Sequence, residues 1–323
     1  EGAKIVGYVG DDERDEARFV AEEIDRLTDD GHAKAGQVAV FYRTNAQSRV
    51  FEEIFIRVGM PYRVVGGVRF YERREVRDGL AYLRALANPD DEVSLRRILN
   101  TPKRGIGERA EAAVDSFAKR ESMTFWEALQ RAEEAPGIAT RSLTCIRGFV
   151  DMMNELGSMV AGGERVDVIL EHTLAKSGYL AELEASTDPQ DETRLENLAE
   201  LVAVAREFSD DPLVGPSADP ADPDFGPPDL SDFLERVALV ADADQIPDEP
   251  SADDPGVVTL MTLHTAKGLE FPVVFLTGLE DGIFPHQRSL GDRPELEEER
   301  RLAYVGLTRA QQRLYISRAI MRS

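Results

Sequence analysis

Apolar positions along the chain fall either in short unbroken runs or at helical spacing. Residues 4–9, 37–42 and 61–65 form short apolar runs that read as strands, and Gly66-Gly67 marks a turn after the third. Between them, residues 11–29 carry Ala17, Val20, Ile24 and Leu27 at helical spacing, and residues 49–58 make a second helix closed by Gly59. Strands alternating with helices predict a parallel, doubly wound sheet. The strand pattern returns only at 257–263 and 273–277, both β-branched and unbroken as buried parallel strands are, and ends at 314–317. From about Glu75 to Ala241 only the helical period occurs. It is carried by Leu80, Leu83 and Leu86, by Val93, Leu95, Ile98 and Leu99, by Phe149, Met152, Met153 and Leu156, and by Leu195, Leu198, Leu201 and Val202. One domain therefore interrupts another: residues 1–75 and 251–323 form an α/β lobe, and 76–250 a helical insertion. Within 209–256, prolines 212, 216, 220, 223, 227 and 228 alternate with aspartates. Only 231–240 there can make a helix, and the rest reads as a solvated linker or loop.

A chain of 323 residues holds two cores, and its 42% apolar and 31% charged content is that of a globular protein. No apolar run approaches the roughly eighteen residues that span a bilayer, and the first residues lack the order of a signal peptide, so no membrane partner is expected. The one cysteine, Cys145, excludes an internal disulfide and a cysteine-ligated zinc, and a reducing, cytoplasmic setting is the expectation. A net charge of −23 argues against a general nucleic-acid coat. The acid is concentrated in 209–256, however, while 50–120 is rich in arginine, and local basic contacts are enough for a protein that tracks DNA.

Four polar stretches interrupt the apolar pattern. The first, 297–312 (EEERRLAYVGLTRAQQ), reads as a helix with Ala303, Leu307 and Ala310 on one stripe and Arg301, Tyr304, Thr308 and Arg309 opposite. Two arginines and a tyrosine on an offered face suit a phosphate, although arginines pairing with glutamates one turn earlier would explain the pattern as a plain surface helix. The second, HTAKGLEF from His264, lies between two buried strands, and the end of a parallel strand is where open α/β sheets hold ligands. The third, RTNAQSR from Arg43, follows the second strand and offers Asn45, Gln47, Ser48 and Arg49 to phosphates or base edges, or else merely caps the next helix. The fourth, NTPKRGIG from Asn100, places Gly105-Ile106-Gly107 as a tight hairpin between two helices. Its backbone N–H groups would point at one phosphate, with charge from Lys103 and Arg104. None of the six lysines follows a glycine, so the phosphate loop GxxxxGK[ST] is missing. Glu280-Asp281, after an apolar strand, is a weak match to a magnesium-binding acid.

TLHTAKGLEFPVVFLTGLEDGIFP, followed by LEEERRLAYVGLTRA, resembles the fifth and sixth helicase motifs of the UvrD/PcrA/Rep family, superfamily-one helicases that move 3′ to 5′ on DNA. VAVFYRTNAQSR and NTPKRGIG extend the likeness over nearly the whole chain. The resemblance implies a discontinuous RecA-like second motor lobe with a mostly α-helical inserted subdomain, the first lobe with its phosphate loop lying before this segment. It implies ATP and Mg2+ as cofactors, bound mainly by that first lobe. Arg309 becomes the arginine finger on the γ-phosphate, Glu270 a contact to the ribose or the γ-phosphate network, and Gly268 a point of close backbone approach. Thr262, His264 and Lys267 lie on a turn that relays nucleotide state to single-stranded DNA, with His264 stacking on a base. Asn45, Gln47 and Arg49 contact the tracked strand, and Lys103, Arg104, Gly105 and Gly107 grip duplex at a junction. The inserted subdomain would also take a repair or transcription protein as partner. The alternative within the class is a RecB-like helicase lobe, and the alternative of another class a non-catalytic DNA- or protein-binding module.

Overall fold

The computed structural model describes residues 3–210, 229–243 and 256–322 of the chain. Six strands make one wholly parallel sheet: β1 (Val6–Gly10), β2 (Val38–Tyr42), β3 (Tyr62–Val65), β4 (Val258–Thr262), β5 (Phe271–Leu276) and β6 (Ala310–Ala319), in the order β1-β6-β5-β2-β4-β3. The segment that returns after the helical insertion thus supplies three strands. β4 is threaded between β2 and β3, and β5 and β6 between β2 and β1. The inner strands β2, β4 and β5 are buried along most of their length, so their apolar runs are continuous rather than alternating. Helices α1 (Glu13–Asp29) and α2 (Ser48–Val58) cover one face. Ala17, Val20, Ile24 and Leu27 pack there with Val50, Phe51, Ile54 and Phe55 on Val38, Val40, Val258, Leu260, Val273 and Phe275. On the opposite face Ala39, Phe41, Met261, Val274 and Leu276 meet Leu302 and Ala303 of the last helix.

The helix expected over 297–312 starts and ends earlier, at Arg293–Leu307 (α12 below). Asp292 caps it by accepting from Glu295 N–H, and Pro294 stands in its first turn. At the other end the Thr308 hydroxyl turns back onto the carbonyls of Tyr304 and Val305, and pairing with β5 and β1 claims residues 310–319 as a ten-residue strand. Sheet pairing has overridden helical spacing, so Arg309 sits in a turn and not on a helix face. The buried side of the helix is correspondingly Leu302, Gly306 and Glu299, while Leu307 is exposed.

One polar knot holds this unit together at the C-terminal edge of the sheet. Glu16, fully buried in α1, accepts from Ser317 Oγ at 2.8 Å and Gly278 N–H at 2.9 Å and pairs with Arg322. Arg322 also pairs with Glu280, which takes the Ala319 N–H at 2.6 Å. Burial works against the guanidinium charge, but the two carboxylates outweigh it and raise the Arg322 pKa. Glu280, the weak match to a magnesium acid, is committed to this knot.

The contacts divide the chain into Glu1–Arg73 with Val240–Ser323, and Arg74–Leu239. The second unit is helical: α3 (Arg74–Ala87), α4 (Glu92–Leu99), α5 (Glu108–Glu121), α6 (Phe125–Gln130), α7 (Thr140–Ala161), α8 (Val166–Lys176), α9 (Tyr179–Glu184) and α10 (Pro189–Asp210), with α11 (Leu230–Ala243) running out of it; α12 is Arg293–Leu307. Gly79 of α3 lets Leu201 of α10 approach closely, since a Cβ there would lie 3.1 Å from Leu201 Cδ2. Most of the expected core positions are buried, but Leu195 and Val202 are only half-buried, and Val93 is 80% exposed because α4 turns Leu95, Ile98 and Leu99 inward instead. The expected helix at 231–240 is present within α11. The proline- and aspartate-rich remainder of 209–256 lies almost wholly outside the described residues.

Candidate functional site

The predicted residues of the α/β unit fall at opposite edges of the sheet. Arg309 and Glu270 stand immediately before β6 and β5, at the edge where those strands begin. Phe271 N–H donates to the Arg309 carbonyl at 3.0 Å, and Gln311 Nε2 reaches Glu270 Oε2 at 3.4 Å. Gly306 sets this turn, because a Cβ there would lie 2.5 Å from Leu263 Cδ2 and 3.3 Å from Leu276 Cδ1. Its absence lets the last turn of α12 press onto the sheet. The guanidinium of Arg309, half-buried, donates to the carbonyls of Val305 (3.1 Å) and Leu269 (3.3 Å) and to Thr308 Oγ1 (3.0 Å). All three acceptors are neutral, so the charge of the group is uncompensated by these contacts and available to an anion. Tyr304, 70% exposed, and Thr308 flank it. Arg301 pairs with Glu298 at 3.0 Å and Arg300 with Glu297, the plain surface pairing weighed for this helix.

Gly268 adopts φ +87°, a left-handed conformation that suits glycine and turns the chain toward Glu270. Lys267 beside it is exposed, whereas Ala266 is buried and anchors the crossing.

Thr262 and His264 begin that crossing at the other edge, where β2 and β4 end. Thr262 pairs in register with Tyr42, and its hydroxyl meets Thr265 Oγ1 at 3.0 Å. Asn45 is half-buried in the turn after β2. Arg43, which the sequence reading did not single out, is the first residue beyond β2 and forms a bidentate pair with Glu299, with N···O distances from 2.7 to 3.1 Å. Burial pushes the Glu299 carboxyl up, but the Arg43 hydrogen bonds and charge outweigh it and leave its pKa below the usual range. His264 is exposed overall, yet its ring is desolvated by its neighbours and lies near Arg43. Both effects lower its pKa and favour the neutral imidazole, the form that stacks without carrying charge. The only sequence signal for this cluster was a cation directly after a buried strand.

Two expected DNA contacts of this edge are turned inward. Arg49 is 1% exposed and paired with Glu53 at 3.1 Å, so its guanidinium serves α2. Gln47 is nearly buried, and its Oε1 accepts the N–H groups of Arg43 and Thr44 at 2.9 Å each. It shapes the turn that presents Arg43 and Asn45.

In the helical unit the hairpin lies where expected, with α4 ending at Leu99 and α5 capped by Gly107. Gly105 has φ +84°, but Gly107 does not share the left-handed conformation, at φ −85°. Arg104 is not a surface charge. It donates to the carbonyls of Ile98 (2.9 Å), Thr101 (3.0 Å), Pro102 (3.3 Å) and Ser177 (3.1 Å) and to the Tyr82 hydroxyl, and lies over the Phe149 ring. The N–H groups of Arg104, Gly105 and Ile106 all go to Asn100 Oδ1. Lys103 alone of the expected charges is exposed.

Among the described residues no group of three or more His, Cys, Asp or Glu side chains could hold a metal ion. No helix among them is long and apolar enough to cross a membrane.

A family model for the UvrD-like helicase C-terminal domain matches residues 1–320. The whole chain is 60% identical to the ATP-dependent DNA helicase UvrD1 of Mycobacterium tuberculosis and 43% identical to the ATP-dependent DNA helicase PcrA of Bacillus subtilis. Over 99% of its length it is 40% identical to DNA helicase II of Escherichia coli. The chain spans about two fifths of the length of these relatives, 41% to 42%.

Proposed function

This chain belongs to the family of UvrD-like helicase C-terminal domains, and on that premise we propose that it is the second motor lobe, with inserted helical subdomain, of an ATP-dependent 3′-to-5′ DNA helicase acting in repair or replication. The observation that carries the reading is Arg309. It stands in a hydrogen-bonded turn, its donors resting on neutral acceptors, beside Glu270 at one sheet edge. Such a group adds positive charge to a transferring γ-phosphate that is held elsewhere. Mg2+ and most of the nucleotide are assigned to the remainder of the enzyme. At the opposite edge Thr262, His264 and Asn45 face single-stranded DNA, and the bases stack on a neutral His264. Lys267 and Gly268 lie on the crossing that joins the two edges, so a shift at Glu270 is passed toward His264 through seven residues of chain.

The segment alone should show no ATPase above background, because it offers a finger without a phosphate cradle, and activity should return when the rest of the enzyme is supplied. Steady-state hydrolysis by the purified segment that is lost in Lys267→Ala would place a nucleotide site here and refute the reading. Failure of the intact protein to hydrolyse ATP would favour a non-catalytic binding module.

The hairpin is assigned to duplex at a junction. In the intact protein Gly105→Ala should weaken binding to a tailed duplex and spare single-stranded DNA, since a left-handed φ costs a residue with a Cβ roughly 1–2 kcal/mol. Gly107→Ala, at ordinary φ and with open space around its added carbon, should be much milder. Equal losses on both substrates in a salt-matched titration would make the hairpin a structural turn only.

A further inference from the structure

Helix α12 is seated on the sheet at two points. Of its fifteen residues only Glu299 and Gly306 are buried. They stand on one face, separated by two turns and about 10 Å of helix. Leu302 and Ala303, between them, rest on the sheet core. Gly306 seats the last turn, and with it Arg309, against Leu263 and Leu276. Glu299 makes the other anchor, at the opposite edge of the sheet. Its carboxylate takes the fork of the Arg43 guanidinium at 2.7 to 3.1 Å and accepts the His286 N–H at 3.1 Å. Its neighbours Glu297 and Glu298 go outward to Arg300 and Arg301. The helix that ends at the Arg309 turn is thus held by the first residue beyond β2, in the same turn as Asn45 and within electrostatic reach of His264.

A buried ion pair is a poor strut. Taking both ions out of water costs about as much as their attraction returns, and an apolar contact of equal volume often holds at least as well. What the pair supplies, and an apolar contact cannot, is a response to a third charge. The Arg43 side chain keeps 20% of its surface exposed, against 7% for Glu299. A phosphate offers the guanidinium the same two-oxygen fork as the carboxylate does, so an anion arriving at the end of β2 competes with Glu299 for Arg43. We propose, on the reading that strand and nucleotide meet opposite edges of this sheet, that Glu299 is the positioning residue that links them. A strand phosphate that draws on Arg43 loosens the clamp on Glu299, and α12 resets the turn that carries Arg309.

The test measures three quantities on the intact protein: thermal melting, single-strand affinity, and the ratio of ATP hydrolysis with saturating single strand to hydrolysis without it. Glu299→Gln keeps the size of the side chain and an acceptor for the His286 N–H, but frees the Arg43 charge. The ratio should fall about fivefold or more, the usual scale of coupling between two sites. Single-strand affinity should stay unchanged or become up to about threefold tighter, since Arg43 no longer shares its charge. A residue that merely holds the fold would instead lower melting, affinity and both hydrolysis rates together, and that outcome would overturn the proposal. So would a ratio within about twofold of wild type. Arg43→Met combined with Glu299→Met replaces the clamp by an apolar contact and guards against a poorly folded single variant. It should melt near wild type and hydrolyse ATP without responding to strand, even at saturation; a preserved response would make the pair a strut only. Arg309→Ala separates the two readings. If it hydrolyses ATP as wild type does, the finger reading falls and this proposal with it. If it is inactive while Glu299→Gln responds normally to strand, only the proposal is lost.

Discussion

Arg309→Ala in the full-length enzyme should lower ATP hydrolysis by about 10³–10⁵-fold, the usual worth of an arginine finger, while nucleotide and single-stranded DNA still bind. The guanidinium is anchored by Val305, Leu269 and Thr308, none of which neutralises it. Its removal therefore exposes no buried counter-charge and should cost little stability, so a loss of rate reports on the transition state. Single-turnover hydrolysis and nucleotide binding, measured side by side, separate the two. Arg309→Lys should rescue little, because one ammonium cannot both rest on these carbonyls and present a planar fork. Arg301→Ala should be mild, since that side chain is exposed and paired with Glu298. ATPase within about tenfold of wild type in Arg309→Ala, with loss in Arg301→Ala, would move the finger to Arg301.

The largest effect on folding is expected from Arg322→Ala. Its guanidinium is the shared partner of Glu16, which has no exposed surface, and of Glu280. Removing it leaves two carboxylates in a site that water barely reaches, a change that usually costs about 3–5 kcal/mol. Thermal or urea unfolding should show that loss. The double variant Arg322→Ala with Glu16→Gln should recover part of it, because the amide still accepts from Ser317 and Gly278 without an orphaned charge. A single variant as stable as wild type would show that solvent or a relaxed side chain replaces the pair. The helical unit has its own core and should melt unaffected by either change.

Several features could be read from one dimension because they depend on spacing alone. Short unbroken apolar runs against the 3.6-residue period separated α/β lobe from helical insertion, and Ala17, Val20, Ile24 and Leu27 lie in the core as their spacing requires. Gly59 at the end of α2 and the turn at Gly105 follow from local backbone preferences, and both glycines have positive φ. The motifs in 262–270 and 297–309 could be recognised because their residue types and order are themselves the signal.

Direction and partnership depend on the third dimension. Arg43, Arg49, Arg104, Arg309 and Arg322 are the same residue in a list. One is paired at the end of β2, one is sunk in α2, one staples a hairpin, one rests on neutral acceptors, and one ties β6 to α1. Those fates are set by neighbours as far as 306 positions away in the chain. The sequence alone determined most of the strands and helices and marked the polar stretches that interrupt them, because those follow from local periodicity and residue type. Only the tertiary structure decided that the helix before Arg309 stops at Leu307, that Glu270 and His264 stand at opposite edges of one sheet, and which arginines pair with a carboxylate and which rest on neutral acceptors. Sheet pairing and burial are long-range constraints, and no local pattern contains them.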